Sequence, residues 1–331
     1  AQVEALNRSA EGHAAFVAQN EGLYSTGLGP HEQSPGGAGF SGETFWDRMA
    51  TAGYQGRPFG EVMAYEATPD SAVAHWSETP YHRLPLLDPD ARELGFAMAA
   101  SGDDTVDVLD LGATHDDDFK DDPGAGVVWP PDGAADIGTS WDGAESPSPP
   151  APPAGFPSGP VVSLQFRRGA LLVAEVATLE LDGARVPVTV LTPTSDPNLS
   201  GDAAIVLYAN APLATGKRYE VTIVGSIDGA PFKRLWSFAT RASATCDLVA
   251  QDCGVGQGCF ASATGSSCAY VGAQGRGDGC SFQNDCQAGL TCASNVCKPF
   301  CRVSSGDGSC AAVCPDGFTP LALADFGVCR G

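Results

Sequence analysis

Apolar residues recur at steps of three and four near the start of the chain: Val3, Leu6, Ala10, Ala14 and Val17. That period gathers them on one stripe of a helix, so this segment predicts an α-helix with a single buried face. A second helix is expected over about 43–52, closed by Gly53. A third opens at Thr68-Pro69, where an N-cap residue precedes a proline at the first helical position. Val73 and Trp76 are expected to face inward from it, and Pro80 stops it. DVLDLGA, ending at Ala113, reads as the last strand of this mixed α and β region.

From about Val127 the period changes to two. VVSLQF, LLVAEVATLEL, VPVTVLTP, AAIVLYA, RYEVTIVGSI and RLWSFAT are separated by turn residues at the spacing of an antiparallel β-sandwich. The run SPSPPAPPAGFPSGP at 146–160 favours polyproline II. The strand-like VVWPPDGAADIG precedes it, so it is read as a loop inside the β region rather than a linker at its border.

Composition adds the compartment. With 331 residues, two or three domains are expected. A formal net charge of −22 excludes a phosphate-neutralising surface, and so a nucleic-acid partner, and disfavours anionic membranes. No window is apolar enough for a transmembrane segment. The opening AQVEALN has neither a basic nor an apolar leader region, so the chain reads as a mature form with its signal peptide removed. All twelve cysteines lie in the tail: Cys246, Cys253, Cys259, Cys268, Cys280, Cys286, Cys292, Cys297, Cys301, Cys310, Cys314 and Cys329. An even number in a Gly-rich stretch with few other apolar residues predicts a disulfide framework, hence a secreted, extracellular or surface-displayed protein. Zinc is the rival use of dense cysteine, but the tail has no histidine and no paired C-x-x-C knuckles.

The segment WSETPYHRLPLLDPDARELGF, Trp76 to Phe96, carries the most specific pattern. Trp76, Pro80, His82, Arg83, Leu86, Leu87, Glu93, Leu94 and Gly95 resemble a signature of the CAP superfamily: the cysteine-rich secretory, antigen 5 and pathogenesis-related 1 proteins, here of bacterial type (SCP domain). Upstream, Asn20, His31, Asp47-Arg48, Ala52-Gly53-Tyr54 and Gly60-Glu61 follow in the family's order. The likeness covers about residues 3 to 98. Val62 stands where the family has the Asn of G-E-N, and Glu78 sits one place off the register of the second acidic residue. The β region resembles bacterial Ig-like domains. The expected architecture is therefore multidomain. An α+β, three-layer α-β-α domain over 1–124 includes an acidic loop, an all-β Ig-like sandwich follows over 125–243, and a small disulfide-rich module occupies 244–331.

The resemblance implies a cleft tetrad of His31, Glu61, Glu78 and His82. His31 and His82 would be ligands for Zn2+ or another divalent cation, with the glutamates hydrogen-bonding around them. Neutral imidazoles suit such metals, and a carboxylate behind an imidazole orients it. His13, His75 and His115 are read as scaffold residues. The aspartates of DDDFKDD in the acidic loop could hold Ca2+, although a solvated loop is the plainer reading. Three functional classes stay open. One is an extracellular binding or interaction protein for a protein, glycan or lipid ligand. The second is a metal-dependent secreted hydrolase acting on peptide or polymer. The third is a structural surface protein with a vestigial cleft. Whether the chain is an enzyme is left undecided: G-x-S-x-G and H-E-x-x-H are both absent, while Ser77 and Ser34 lie near His82 and His31 in sequence.

Overall fold

The computed structural model describes residues 1–20, 29–101, 104–114, 126–241, 246–262, 265–303, 323 and 325–329. They divide into two compact units: Ala1–Tyr65 with His75–Ala242, and Glu66–Ala74 with Ser243–Gly331.

The first unit opens with α1, Glu4–Gln19, which buries Leu6, Ala10, Ala14 and Val17 as its period requires, together with Ser9 and His13. Helix α2, Phe45–Thr51, starts with a reciprocal cap in which Thr44 and Asp47 satisfy one another's backbone N–H groups. Strand β1 is Arg57–Ala64, α3 is Pro69–Glu78 and α4 is Pro80–Leu86; β2 is Glu93–Ser101 and β3 is Asp104–Ala113. The strands form an antiparallel sheet in the order β1-β3-β2. Alternation across this sheet sorts its side chains. Met63, Val108 and Ala97 pack with Ala10, Ala14 and Val17 of α1. On the opposite face, Trp76 of α3 meets Phe96 edge-on and donates its Nε1–H to Met63 O at 2.8 Å. On that face too, Pro85 of α4 closes over Gly60. Sheet and helices thus form three layers. One expectation fails: Val73 is 45% exposed. Ala72 and Trp76, one helical turn apart, are buried positions of α3, and Val73 is rotated off their side of the helix.

The β region holds two sheets. Strands β4 (Val127–Trp129), β6 (Val162–Gln165), β9 (Val188–Leu191) and β10 (Ala204–Ala209) pair in the order β4-β6-β10-β9. Strands β5 (Ala134–Ile137), β7 (Leu172–Leu181), β8 (Ala184–Val186), β11 (Arg218–Ile227) and β12 (Ala230–Thr240) pair as β5-β12-β11-β7-β8. One apolar core lies between them, with Val162, Leu164, Ile205 and Leu207 from the first sheet and Leu179, Val221, Ile223, Trp236 and Phe238 from the second. The proline-rich stretch runs between β5 and β6.

Within this unit the β region is joined to α4. Leu84 sits in a cluster with Val161, Leu199, Val206 and Tyr208. Around it, Gln165 Nε2 donates to Leu84 O at 2.8 Å, Arg83 Nη1 to Val161 O at 2.9 Å, and Arg168 Nη1 to Phe59 O at 2.6 Å. Arg83 is fully buried, and burial pulls its guanidinium pKa down to about 9. The contact is therefore a continuation of the core, crossed by hydrogen bonds from Arg83, Gln165 and Arg168.

In the second unit β13 (Gln257–Ser262) and β14 (Gly265–Tyr270) form a hairpin, and β15 (Leu290–Ala293), β16 (Val296–Arg302) and β17 (Phe326–Val328) form a three-stranded sheet. Four disulfides link Cys246–Cys259, Cys253–Cys268, Cys280–Cys292 and Cys286–Cys297. The two quartets share one connectivity, first to third and second to fourth. In each, the last two cysteines face one another across a hairpin, Cys259 with Cys268 and Cys292 with Cys297. The tail thus repeats one small design, which the unequal spacings of its cysteines obscure in the sequence. Cys301 and Cys329 are also disulfide-bonded, while Cys310, Cys314 and the aspartates of DDDFKDD lie outside the described residues.

Gly95 tests how closely α1 lies on the sheet. A β-carbon there would stand 2.0 Å from the Leu6 carbonyl carbon, against backbone that has no side-chain freedom to yield. Gly95→Ala should lower stability by about 2 kcal/mol or more, read as a shift of the urea midpoint at unchanged slope.

Candidate functional site

The side chains of interest form two hydrogen-bonded groups in the first unit. The first centres on Glu61 of β1, whose side chain is fully buried. Its Oε2 accepts from Arg48 Nη2 of α2 at 2.6 Å, and its Oε1 accepts from His31 Nδ1 at 3.0 Å. Arg48 also donates to His31 O at 3.0 Å and to Glu43 O at 3.3 Å, tying the loop that carries His31 to the helix. A buried carboxylate is costly unless paired and hydrogen-bonded, and Glu61 has both kinds of partner. Burial alone would raise its pKa. The His31 hydrogen bond and the charges of His13 and Arg48 outweigh that and hold it down at about 2.

His13 of α1 closes the back of this group. Its Nε2 lies 2.9 Å from Pro30 O and 3.6 Å from Glu61 Oε1, while Gln33 Nε2 donates to its Nδ1 at 3.2 Å. A carbonyl can only accept, so the ring proton is on Nε2 and the imidazole is neutral. Burial, helped by the Arg48 and His31 charges, lowers its pKa to about 4. Asp110 of β3 lies directly opposite Glu61 in the sheet. Burial and the Glu61 charge raise its pKa well above the usual carboxylate value.

The second group is at the start of α4. His82 Nδ1 donates to Glu145 Oε1 at 2.8 Å. Glu145 belongs to the stretch between β5 and β6, and its side chain is fully buried. Glu78 occupies the exposed C-terminal end of α3, where its charge acts on Arg83. Glu145 is thus a carboxylate in contact with His82.

Of the residues singled out from the sequence, His31 and Glu61 are brought into direct contact, and His82 is paired with a glutamate from the β region. His31 is 39% exposed and His82 16%, so each remains partly open to solvent beside its buried carboxylate. His13, Gln33, Arg48 and Asp110 complete the Glu61 group. Arg48 and His13 lie in segments the motifs had marked, but nothing local showed that they turn towards one carboxylate. Glu145 carries no sequence signal at all.

Residues 4–110, about a third of the chain, match the family model described as CAP, the cysteine-rich secretory protein family. No curated protein matches the chain. The first part of the chain is thus of CAP type, and with the disulfides it points to an extracellular protein. Among the described residues no helix is long and apolar enough to cross a membrane.

The neutral, buried His13 gives a pH signature. Its folded pKa of about 4 lies below the ordinary 6.5, so between those values the unfolded chain binds more protons. Stability contributed at neutral pH is lost as pH falls through that window, by about 3 kcal/mol at most. The raised Asp110 works with the opposite sign, so the clean measure is a difference. Urea unfolding of the wild type and of His13→Asn from pH 7 to 4 should show the wild type losing stability more steeply. Parallel profiles would contradict the assignment.

Proposed function

We propose that this chain acts outside the cell as a binding or interaction protein, and that His31 and His82 are its ligands for a divalent cation of the zinc type. The observation that supports this is the matched treatment of the two rings. Each turns Nδ1 to a buried carboxylate, Glu61 or Glu145, and keeps Nε2 free of that contact. Metal-binding histidines are commonly backed in this way, because the carboxylate sets the tautomer and raises the basicity of the other nitrogen.

The donor chemistry fits such an ion. Imidazole nitrogens suit zinc, copper or nickel and do not suit calcium or magnesium, which prefer oxygen. Glu61 is committed to Arg48 and His31 through both oxygens, so its part is to hold His31 rather than to coordinate. Among the described residues the groups of three close metal-ligating side chains are Cys246/Cys253/Cys268 and Cys280/Cys286/Cys297. All six are locked in disulfides and have no thiolate to offer. Two protein nitrogens leave the remaining positions of a four-coordinate ion to water or to an oxygen of the ligand. When bound, the ion would supply an electron-pair acceptor for an oxygen of a protein, glycan or lipid partner. The residues themselves orient the rings.

Titration calorimetry with Zn2+ should give a saturable binding event for the wild type. It should vanish in the His31→Ala/His82→Ala double variant while the far-ultraviolet circular dichroism is retained. Equal zinc uptake by both proteins would sink the reading.

A further inference from the structure

We infer that Glu145, contributed by the β region, is the positioning residue for His82, so that the site of the CAP-like region is completed by the region that follows it. Three donors converge on one oxygen. Glu145 Oε1 accepts from the Tyr81 N–H at 2.8 Å, the His82 N–H at 2.9 Å and His82 Nδ1 at 2.8 Å. The first two are open backbone groups in the first turn of α4. That helix begins at Pro80 after Thr79, whose side chain makes no capping bond and donates instead to Trp76 O. Glu145 therefore does from a distance what an N-cap side chain does locally, and the same atom takes the imidazole proton.

The carboxylate is aimed by built structure. Trp141 and Ser158 exchange backbone hydrogen bonds at 3.0 and 2.9 Å across the base of the stretch that carries it. The Trp141 ring packs edge-on against Phe156 and Tyr208. Gly143 turns the chain with φ +85°, where a β-carbon would collide with the Phe156 ring at 2.4 Å. From the other side, Tyr81 is fastened by its hydroxyl to Asp196 Oδ2 at 2.6 Å. Glu145 Oε2 is buried with no hydrogen-bond partner among the described residues, so the carboxylate depends on the three donors at Oε1.

The consequence for His82 is chemical. An ionised carboxylate can only accept, so the neutral ring must keep its proton on Nδ1 and its lone pair on Nε2. This matches His31, whose Nδ1 faces Glu61. Both histidines then present the same nitrogen as electron-pair donor, one fixed from within the CAP-like region and the other by the β region.

Long-range proton–nitrogen NMR spectra of the full chain, recorded above the imidazole titration range, report which ring nitrogen carries the proton. The wild type should show His82 protonated on Nδ1. Glu145→Ala should shift it towards the Nε2–H form that an unrestrained imidazole prefers, while His31 is unchanged and serves as an internal control. Glu145→Gln, which keeps an oxygen for the helix N–H groups, should populate both forms and guards against a folding defect in the alanine variant. A wild-type His82 protonated on Nε2, or a tautomer indifferent to both substitutions, overturns the inference. The metal arm rests on the preceding proposal: Co2+ affinity should fall about 10–100-fold in Glu145→Ala. A switched tautomer with unchanged Co2+ affinity would remove Glu145 from the site. Absence of Co2+ binding by a wild type of the expected tautomer would overturn the metal reading and leave the positioning role standing.

Discussion

The buried ion pair of Arg48 and Glu61, 2.6 Å apart and shielded from water on both sides, is the constraint around which the first part of the chain is organised. Neither charge could be buried without the other, because stranding one would cost several kcal/mol. Meeting that requirement places α2 against β1 and holds the backbone of the loop at His31. It also shifts the titration of the neighbours. Burial and the Glu61 charge raise the pKa of Asp110 across the sheet, and burial, reinforced by the Arg48 charge, lowers that of His13.

Glu145 solves a related problem at the start of α4. A seven-residue helix whose own N-cap side chain is turned away leaves backbone N–H groups open at its buried first turn. A buried carboxylate, for its part, needs donors. Each removes the other's penalty, and His82 is caught in the exchange. The apolar cluster of Leu84, Val161, Leu199, Val206 and Tyr208 supplies the close approach that makes it geometrically available. In the second unit disulfides replace such a core, and the same crossed pattern used twice restrains chain that has little apolar surface to bury.

Much of this organisation was legible along the chain. The stripe from Leu6 to Val17, the proline that separates α3 from α4, and the alternation of β11 and β12 each report a local requirement, since helices and strands repeat with their own periods. The contact of His31 with Glu61 lay within reach of a resemblance in motif order, because both belong to one conserved-looking layout of short segments. Val73 misled because it follows the buried Ala72 directly, and one step along a helix turns a side chain by about 100°. The tail's repeat was hidden because pairing depends on which strands lie side by side, and the paired cysteines stand at different distances from the ends of their hairpins, which changes the spacing without changing the pairing.

What the amino-acid order determined by itself was the set of elements, the separation into helical and strand-rich stretches, the disulfide-dense tail and the two histidines worth attention. Those follow from period, turn chemistry and residue type, all of which act over a few positions. Which carboxylate each histidine meets was decided only in three dimensions. Glu78 is near His82 in the chain and stands at an exposed position at the end of its helix, whereas Glu145 reaches His82 from a proline-rich stretch of the β region. The reason is physical: a carboxylate is drawn to the place where buried N–H groups lack partners, and that place exists only once the two regions have packed together.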